Sequence, residues 1–226
     1  MPRPRTLTND QILEATGRVI ERVGPANLTL ARVAAEVGLA APTLVQRFGS
    51  RRGLLLAYAE HTVHAVRRDF GAARGAASSP LQALFGGLER LASHVATAEA
   101  MANNLAFLQT DLSDPEFRRL ALAHARATGA EIQALLDDAV AAGELALEPP
   151  SNTTRLARAV QVAYNGALLL WAIEASGSAA QALHAALDSV LSPYRRSAAR
   201  TRPGKVVRRA RRGDVAGHGP QPSRTA

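Results

Sequence analysis

Apolar residues recur at the spacing of an α-helix along most of the chain, and no stretch alternates with the two-residue period of a strand. At the start, Thr8-Asn9-Asp10-Gln11 has the form of a capping box, and an apolar face then repeats from Ile12 to Val23. Apolar residues make up 47% of the 226 residues and aromatic residues only 4%, so the core must consist of many small contacts between helices. We therefore predict an all-α fold.

Residues that cap or break helices divide the chain into nine predicted helical segments. Ser50 and Ser178 have the side chain of a helix cap, and Gly24-Pro25 and Gly143 mark helix ends. The predicted helices are 9–23, 30–37, 41–47, 51–74, 80–100, a shorter one that ends at 112, 115–143, 152–175 and 178–191, with a linker at 71–79.

Charge is distributed unevenly along the sequence. Residues 1–70 carry a net charge of +4, residues 71–194 carry −5, and residues 195–226 carry +9. This pattern predicts that the two ends of the chain bind a polyanionic partner and that the central segment has a different function. The chain has no cysteine, no apolar stretch of signal-peptide length at its start, and a longest clearly apolar run, 167–173, that is too short to span a bilayer. We therefore expect a soluble, cytoplasmic protein without a membrane partner.

The stretch from Val33 to Leu44 has the spacing of a helix-turn-helix motif. Gly38 can adopt the positive φ that a tight turn needs. In the second helix, Leu44 faces inward, whereas a short and mostly polar face points outward, as a helix that reads the major groove requires. The residues of that face are Pro42, Thr43 and Gln46, with Val45 and Arg47 on its flanks.

Two arginines, Arg51 and Arg52, occupy the first turn of the next predicted helix. Cations are unfavourable at the positive end of the helix dipole, and a bound phosphate would reverse that penalty. We therefore predict that they clamp the DNA backbone beside the reading helix. The alternative is an ordinary solvated helix start.

The segment from Gln11 to about Leu55 resembles the TetR family of bacterial transcriptional regulators. The resemblance rests on ILEA in the first helix, the Thr29 cap, VAAEVGL, PTLVQRF and SRRGLL. It implies a three-helix DNA-binding head, a larger helical body that binds an effector, a homodimer formed by the last two helices, and repression that a small molecule relieves. By resemblance, Thr29, Thr43 and Arg51 contact phosphate. Val45 stands where the family usually has a phosphate-binding tyrosine, and Ala40 replaces the common serine cap, and both changes weaken the expected backbone contacts.

The resemblance leads to specific expectations for domains and DNA contacts. We expect a helix-turn-helix domain at 1–52, a ligand-binding and dimerisation domain at 53–196, and a disordered basic tail at 197–226. The tail could fold back onto the acidic body, lie free in solvent or hold DNA beyond the operator. An N-terminal arm could enter the minor groove or remain disordered. The predicted DNA-contacting residues are Arg3, Arg5, Thr29, Pro42, Thr43, Val45, Gln46, Arg47, Arg51 and Arg52.

The body offers a predicted effector site and a predicted dimer face. The effector candidates combine adaptable apolar surface with a few polar groups, although such side chains are often ordinary core. They are Leu91, Met101, Asn104, Phe107, Leu108, Asp111, Tyr164 and Trp171. Gly166 and the alanines around it resemble the family's C-terminal half, where small residues let the helices of two subunits approach closely.

Other functions have weaker support in the sequence. His61 and His64 have the spacing of two metal ligands, but the spacing of the sequence places no third ligand near them. The adjacent Asp137 and Asp138 point to different faces of a helix, so they do not form a catalytic pair. No Gly-rich phosphate loop or nucleophile elbow is present. We therefore predict a regulator that is not an enzyme and needs no metal or cofactor. A constitutive DNA-binding protein without an effector is the remaining alternative.

Overall fold

The computed structural model describes residues 7–147 and 152–196. Within these ranges the chain forms nine α-helices, a short 3-10 turn at Ser192–Tyr194, and one isolated bridge between Leu145 and Arg195. The helices are α1 (Asn9–Asn27), α2 (Leu30–Glu36), α3 (Ala41–Phe48), α4 (Arg51–Ala76), α5 (Pro80–Ala92), α6 (Ala98–Ser113), α7 (Pro115–Ala141), α8 (Thr153–Glu174) and α9 (Ala179–Leu191). The predicted all-α fold is confirmed.

Helix starts follow the predicted caps. The Thr8 and Ser178 side chains form capping boxes, and Ser50 accepts a hydrogen bond from the Gly53 amide at 3.0 Å. Gly24, with φ of +74°, kinks α1 before Pro25 rather than ending it.

The predicted linker at 71–79 is too long, and the predicted helix at 80–100 does not end where expected. Helix α4 continues to Ala76 because Phe70 and Ala73 are buried against α5 and the rest of the body, and this packing overrides the low helix propensity of Gly71 and Gly75. Helix α5 stops at Ala92, and Thr97 caps a new helix that runs to Ser113.

Two clusters of buried side chains form the core. The first joins α1, α2 and α3 to the start of α4, through residues such as Ile12, Leu44 and Leu55, and extends to Phe117 and Leu120 of α7. The second joins the rest of α4 to α5–α9. We call α1–α3 with residues 51–59 the head and the following described residues the body. The core therefore divides within α4, between Ala59 and Val66, and the predicted domain boundary at residue 52 stays a prediction.

Among the described helices, α8 is long and apolar enough to cross a membrane by length and composition alone. The apolar run at 167–173, which is too short to span a bilayer, is only part of this 22-residue helix. Leu168 and Trp171 are buried in the body core, as they would be in an interior helix of a globular protein.

Candidate nucleic-acid interface

The helix-turn-helix motif has the predicted geometry. Thr29 caps α2 by accepting a hydrogen bond from the Arg32 amide at 3.1 Å. Gly38 takes φ of +71° in the turn, and the Leu39 amide closes the turn on the Ala34 carbonyl at 2.8 Å. Ala40, at the cap position of α3, makes no side-chain cap hydrogen bond. The turn therefore holds α3 across α2, with Leu44 fully buried between α3 and the rest of the head.

The outer face of α3 is open to solvent. Pro42, Val45, Gln46 and Arg47 are exposed, and Thr43 is half-buried. These side chains combine an amide, a hydroxyl and small apolar groups on a helix of eight residues. Such a face can enter the major groove and form hydrogen bonds with base edges.

Arg47 connects α3 to the start of the head. Its guanidinium donates to the Leu7 carbonyl at 2.7 Å and to the Asn9 side-chain oxygen at 3.3 Å. This arginine therefore positions the C-terminal end of α3 against the first turn of α1.

Arg51 connects α4 to the C-terminal end of α1. Its Nε donates to the Leu28 carbonyl at 2.9 Å, and its guanidinium also donates to the Pro25 carbonyl. Leu28 is fully buried, so its carbonyl has little access to water. Arg51 thus fixes the position of α1 relative to α4.

Arg52 points from the head to the body. It forms ion pairs with Asp114 and Glu116 at the start of α7, each at 2.9 Å, and its guanidinium lies 5.6 Å from the centre of the Phe117 ring. Hydrogen bonding to Arg52 holds the pKa of Asp114 below its usual value. All three arginines of this segment therefore have protein partners, and their phosphate contacts stay predictions. Arg3, Arg5 and the tail at 197–226 lie outside the described residues.

Comparisons with known proteins agree on the family. The family model of the bacterial regulatory proteins, tetR family, matches residues 12–58, which include the whole helix-turn-helix motif. The HTH-type transcriptional regulator BetI of Agrobacterium fabrum is 29% identical over 161 residues, which cover 71% of this chain and 74% of that protein. Residues 12–58 therefore form a DNA-binding domain of the TetR family of transcriptional regulators.

Solved structures show the same fold. A TetR transcription regulator from Haloarcula marismortui matches with a TM-score of 0.65 and 14% identity, over 83% of this chain and 98% of that one. SmeT, the repressor of the Stenotrophomonas maltophilia multidrug efflux pump SmeDEF, matches with a TM-score of 0.59 and 18% identity, over 85% of this chain and 93% of that one.

The eight predicted effector residues do not converge on one open site. Leu91, Met101 and Trp171 are buried in the body core, and Tyr164 packs against it. Phe107 instead packs edge-on against the rings of Tyr58 and Phe117, with centroid distances of 5.8 and 6.1 Å.

The remaining three candidates lie on α6. Leu108 is exposed, and burial raises the pKa of the Asp111 carboxyl to about 6. Asn104 contacts His94. Two surface grooves, one of about 410 Å³ and one of about 230 Å³, run along α4 and α5, and neither is lined by any of the eight residues. The effector assignment stays a prediction.

Sequence reasoning missed the residues through which α6 joins head and body. The Asn103 amide donates to the Glu21 carbonyl of α1 at 2.8 Å, and its oxygen lies 2.6 Å from the position of a Cβ on Gly24. The adjacent Asn104 amide nitrogen lies 3.3 Å from Nε2 of His94 in the body. A displacement of α6 therefore reaches the DNA-binding head and the body core together. No spacing in the sequence indicates this, because the partners lie 82 and 10 residues away.

An apolar stripe runs along the solvent side of α8. It contains Val162, Leu169, Leu170 and Ile173, which are 57%, 38%, 56% and 70% exposed. Gly166 lies on the same side, and a Cβ there would have no described atom within 4 Å. The spacing of these residues places them on one helix face, and a contiguous apolar face of this kind is typical of a protein–protein interface.

Proposed function

We propose that this TetR-family regulator is a homodimeric repressor that binds a palindromic operator and that a small-molecule effector releases from DNA. The observation that carries the proposal is the separation of two exposed surfaces. The polar face of α3 suits DNA, whereas the apolar stripe of α8 suits a second copy of the chain. Two heads related by a twofold axis read two equivalent half-sites, so the operator is expected to be an inverted repeat.

The effector part of the proposal is supported by α6. Its adjacent residues Asn103 and Asn104 contact the head and the body. A ligand that binds more tightly to one arrangement of α6 than to another shifts the population of head orientations. The free energy of operator binding then becomes less favourable by at most the difference between the ligand's binding free energies for the two arrangements. Family members are in general transcription factors rather than enzymes, and we expect this one to act on chromosomal DNA in the cytoplasm.

The experiment that tests this function is selection of bound fragments from random DNA by the full-length protein, with sedimentation of the same sample. We expect an inverted repeat among the selected fragments and a dimer at micromolar concentration. Fragments without a common repeat, or a monomer that still selects one sequence, would contradict the proposal. An operator complex that no small molecule dissociates would favour the constitutive alternative.

Gln46→Ala should change base preference. Gln46 is exposed on the outer face of α3, and its amide can form two hydrogen bonds with one base edge. Loss of these bonds should reduce discrimination at one or two base pairs per half-site by about 1 to 3 kcal/mol each. Binding of the variant to a library of single-base operator changes measures this directly. An equal loss for every sequence would mean that Gln46 does not read bases.

Arg51→Met and Arg52→Met form a matched pair of neighbouring substitutions. Arg51→Met leaves the Leu28 and Pro25 carbonyls without their guanidinium partner, so we expect a loss of stability of about 1 to 2 kcal/mol and weaker binding to operator and random DNA alike. Arg52→Met removes exposed ion pairs and should leave the unfolding midpoint nearly unchanged. Denaturant unfolding and DNA titration of both variants test this. Equal stability losses would show that the Arg51 contacts contribute nothing specific.

A further inference from the structure

The last 30 residues of the sequence carry a dense positive charge that the proposed function does not use. We call residues 197–226 the basic tail, and they lie outside the described residues. They contain eight arginine or lysine residues and one acidic residue, Asp214, so their net charge is +7. Seven of the eight basic residues fall within positions 200–212. Such a density of one sign of charge is typical of a segment that binds a polyanion.

The described part of the body ends at Arg196, beside the C-terminal end of α7. Leu145, in the loop that follows α7, is fully buried and forms the isolated bridge with Arg195. The Arg196 amide donates to the Glu144 carbonyl of the same loop at 3.1 Å. These contacts fix the residue from which the basic tail continues.

Helix α7 separates Arg196 from the head. Its N-terminal end contacts the head, where Glu116 pairs with Arg52 and Phe117 packs into the core of the head. The helix has 27 residues, and at 1.5 Å per residue it is about 40 Å long. Arg196 therefore lies about 40 Å from the end of α7 that meets the head.

This distance limits what the basic tail can contact. Lys205 is nine residues beyond Arg196, so even a fully extended chain places it at most about 32 Å away. Arg212 is 16 residues beyond Arg196 and lies at most about 58 Å away. A duplex on the outer face of α3 is therefore out of reach for the first basic residues of the tail in the same subunit. A duplex beside the C-terminal end of α7 is within reach of all of them.

Duplex DNA fits the basic tail better than a membrane surface does. Arginine and lysine neutralise the backbone phosphates of DNA whatever its sequence. Basic segments that lie in a membrane surface also carry Trp, Phe or Leu side chains, which enter the bilayer. The basic tail contains none of these three residue types and no tyrosine. The helix-turn-helix motif of the same chain also favours DNA, because a protein bound at one DNA site meets a high local concentration of phosphate.

We infer that the basic tail is a second DNA-binding element, which holds a duplex separate from the operator through its backbone phosphates. The protein then joins two DNA segments, one at α3 and one near the C-terminal end of α7. Contacts with phosphate carry no sequence information, so the second segment can have any sequence. This role goes beyond the proposed function, because it requires neither an effector nor repression.

A salt titration of two full-length proteins measures the contribution of the tail to DNA binding. The tail-neutral variant carries Arg200→Gln, Arg202→Gln, Lys205→Gln, Arg208→Gln, Arg209→Gln, Arg211→Gln and Arg212→Gln. If the tail neutralises about four phosphates, the slope of log affinity against log salt on a random-sequence duplex should be about 3.6 shallower in this variant. Equal slopes would overturn the inference, since the tail would then be solvated or bound to the acidic body.

Capture of a second duplex tests whether the tail holds DNA apart from the operator. The selected operator is fixed to beads and saturated with protein, and a labelled random-sequence duplex is added after excess protein is washed away. We expect the unchanged protein to capture at least about five-fold more labelled duplex than the tail-neutral variant, with operator affinities within about two-fold of each other. An operator affinity that falls as much as the capture does would overturn the inference, because the tail would then hold the operator itself.

The control removes positive charge from another part of the chain. Arg67→Gln, Arg68→Gln and Arg90→Gln change three exposed arginines of α4 and α5 that form no ion pair in the described ranges, and together they should leave capture unchanged. Vesicles of phosphatidylcholine and phosphatidylserine are tested at the same salt concentration. Tighter binding of the unchanged protein to these vesicles than to the random duplex, lost in the tail-neutral variant, would overturn the inference in favour of a membrane partner.

The proposed function is judged separately by DNA selection and sedimentation. The salt titration uses random DNA, so it decides the role of the tail even if no operator is selected. A dimer that selects an inverted repeat but captures no second duplex would contradict only the inference about the tail.

Discussion

Gly53→Ala should lower the free energy of unfolding by about 3 kcal/mol, as an overpacked site does, and should abolish specific DNA binding. Gly53 lies in the first turn of α4, where a Cβ would be 2.1 Å from the Phe48 carbonyl oxygen at the end of the reading helix. That oxygen belongs to the backbone and cannot move without displacing α3. The substitution should therefore change both the stability of the head and the position of the α3 face that we propose contacts DNA.

Gly75→Ala is the control for this prediction. Gly75 lies on the same helix, but a Cβ there would have no described atom within 4 Å. The gain in helix propensity should stabilise the protein by about 0.5 to 1 kcal/mol. Denaturant unfolding of the two variants, with binding to a selected operator, distinguishes the two sites. If Gly53→Ala were as stable as Gly75→Ala, the close approach of α3 and α4 would be wrong.

Leu170→Glu should dissociate the proposed dimer. Leu170 belongs to the apolar stripe of α8 and is 56% exposed, and twofold symmetry would place the new carboxylate in the interface twice. An unpaired buried charge costs about 3 to 5 kcal/mol, so two of them should raise the dimer dissociation constant by at least about 1000-fold. A single head contacts only one half-site, and operator affinity should therefore fall by about 100-fold or more.

Leu112→Glu provides a matched control for dimerisation. Leu112 lies at the end of α6, is 63% exposed, and is not part of the α8 stripe. We expect this variant to remain dimeric by sedimentation and to bind the selected operator nearly as well as the unchanged protein. A Leu170→Glu protein that stays dimeric at micromolar concentration would show that the subunits meet through another surface.

Local chemistry explains the elements that could be predicted from the sequence. Thr8, Thr29, Ser50 and Ser178 each bond to the amide three residues later, so the start of the helix depends on neighbours in the chain. The helix-turn-helix motif is equally local, because Gly38 and the apolar residues around it lie within one short stretch. These features therefore needed only the sequence and helix geometry.

Contacts between distant residues decided the rest. Helix α4 runs through Gly71 and Gly75 because packing in the body outweighs their propensity, and no local pattern records that packing. Arg51 and Arg52 carry the same side chain at the same helix end. Arg51 bonds to backbone carbonyls at the C-terminal end of α1 and just after it, 26 and 23 residues earlier, whereas Arg52 bonds to carboxylates more than 60 residues later.

Three polar residues of the body show the same limit. His94, Asn104 and His124 look like isolated polar residues in the sequence, since the helices that carry them meet only in the folded chain. The sequence by itself therefore determined most of the helices, the caps at Thr8, Thr29, Ser50 and Ser178, and the outward face of α3, because these depend on interactions within a few residues. Only the tertiary structure decided which side chains the arginines, the asparagines of α6 and the buried histidines contact, because those partners are set by helix packing across the whole chain.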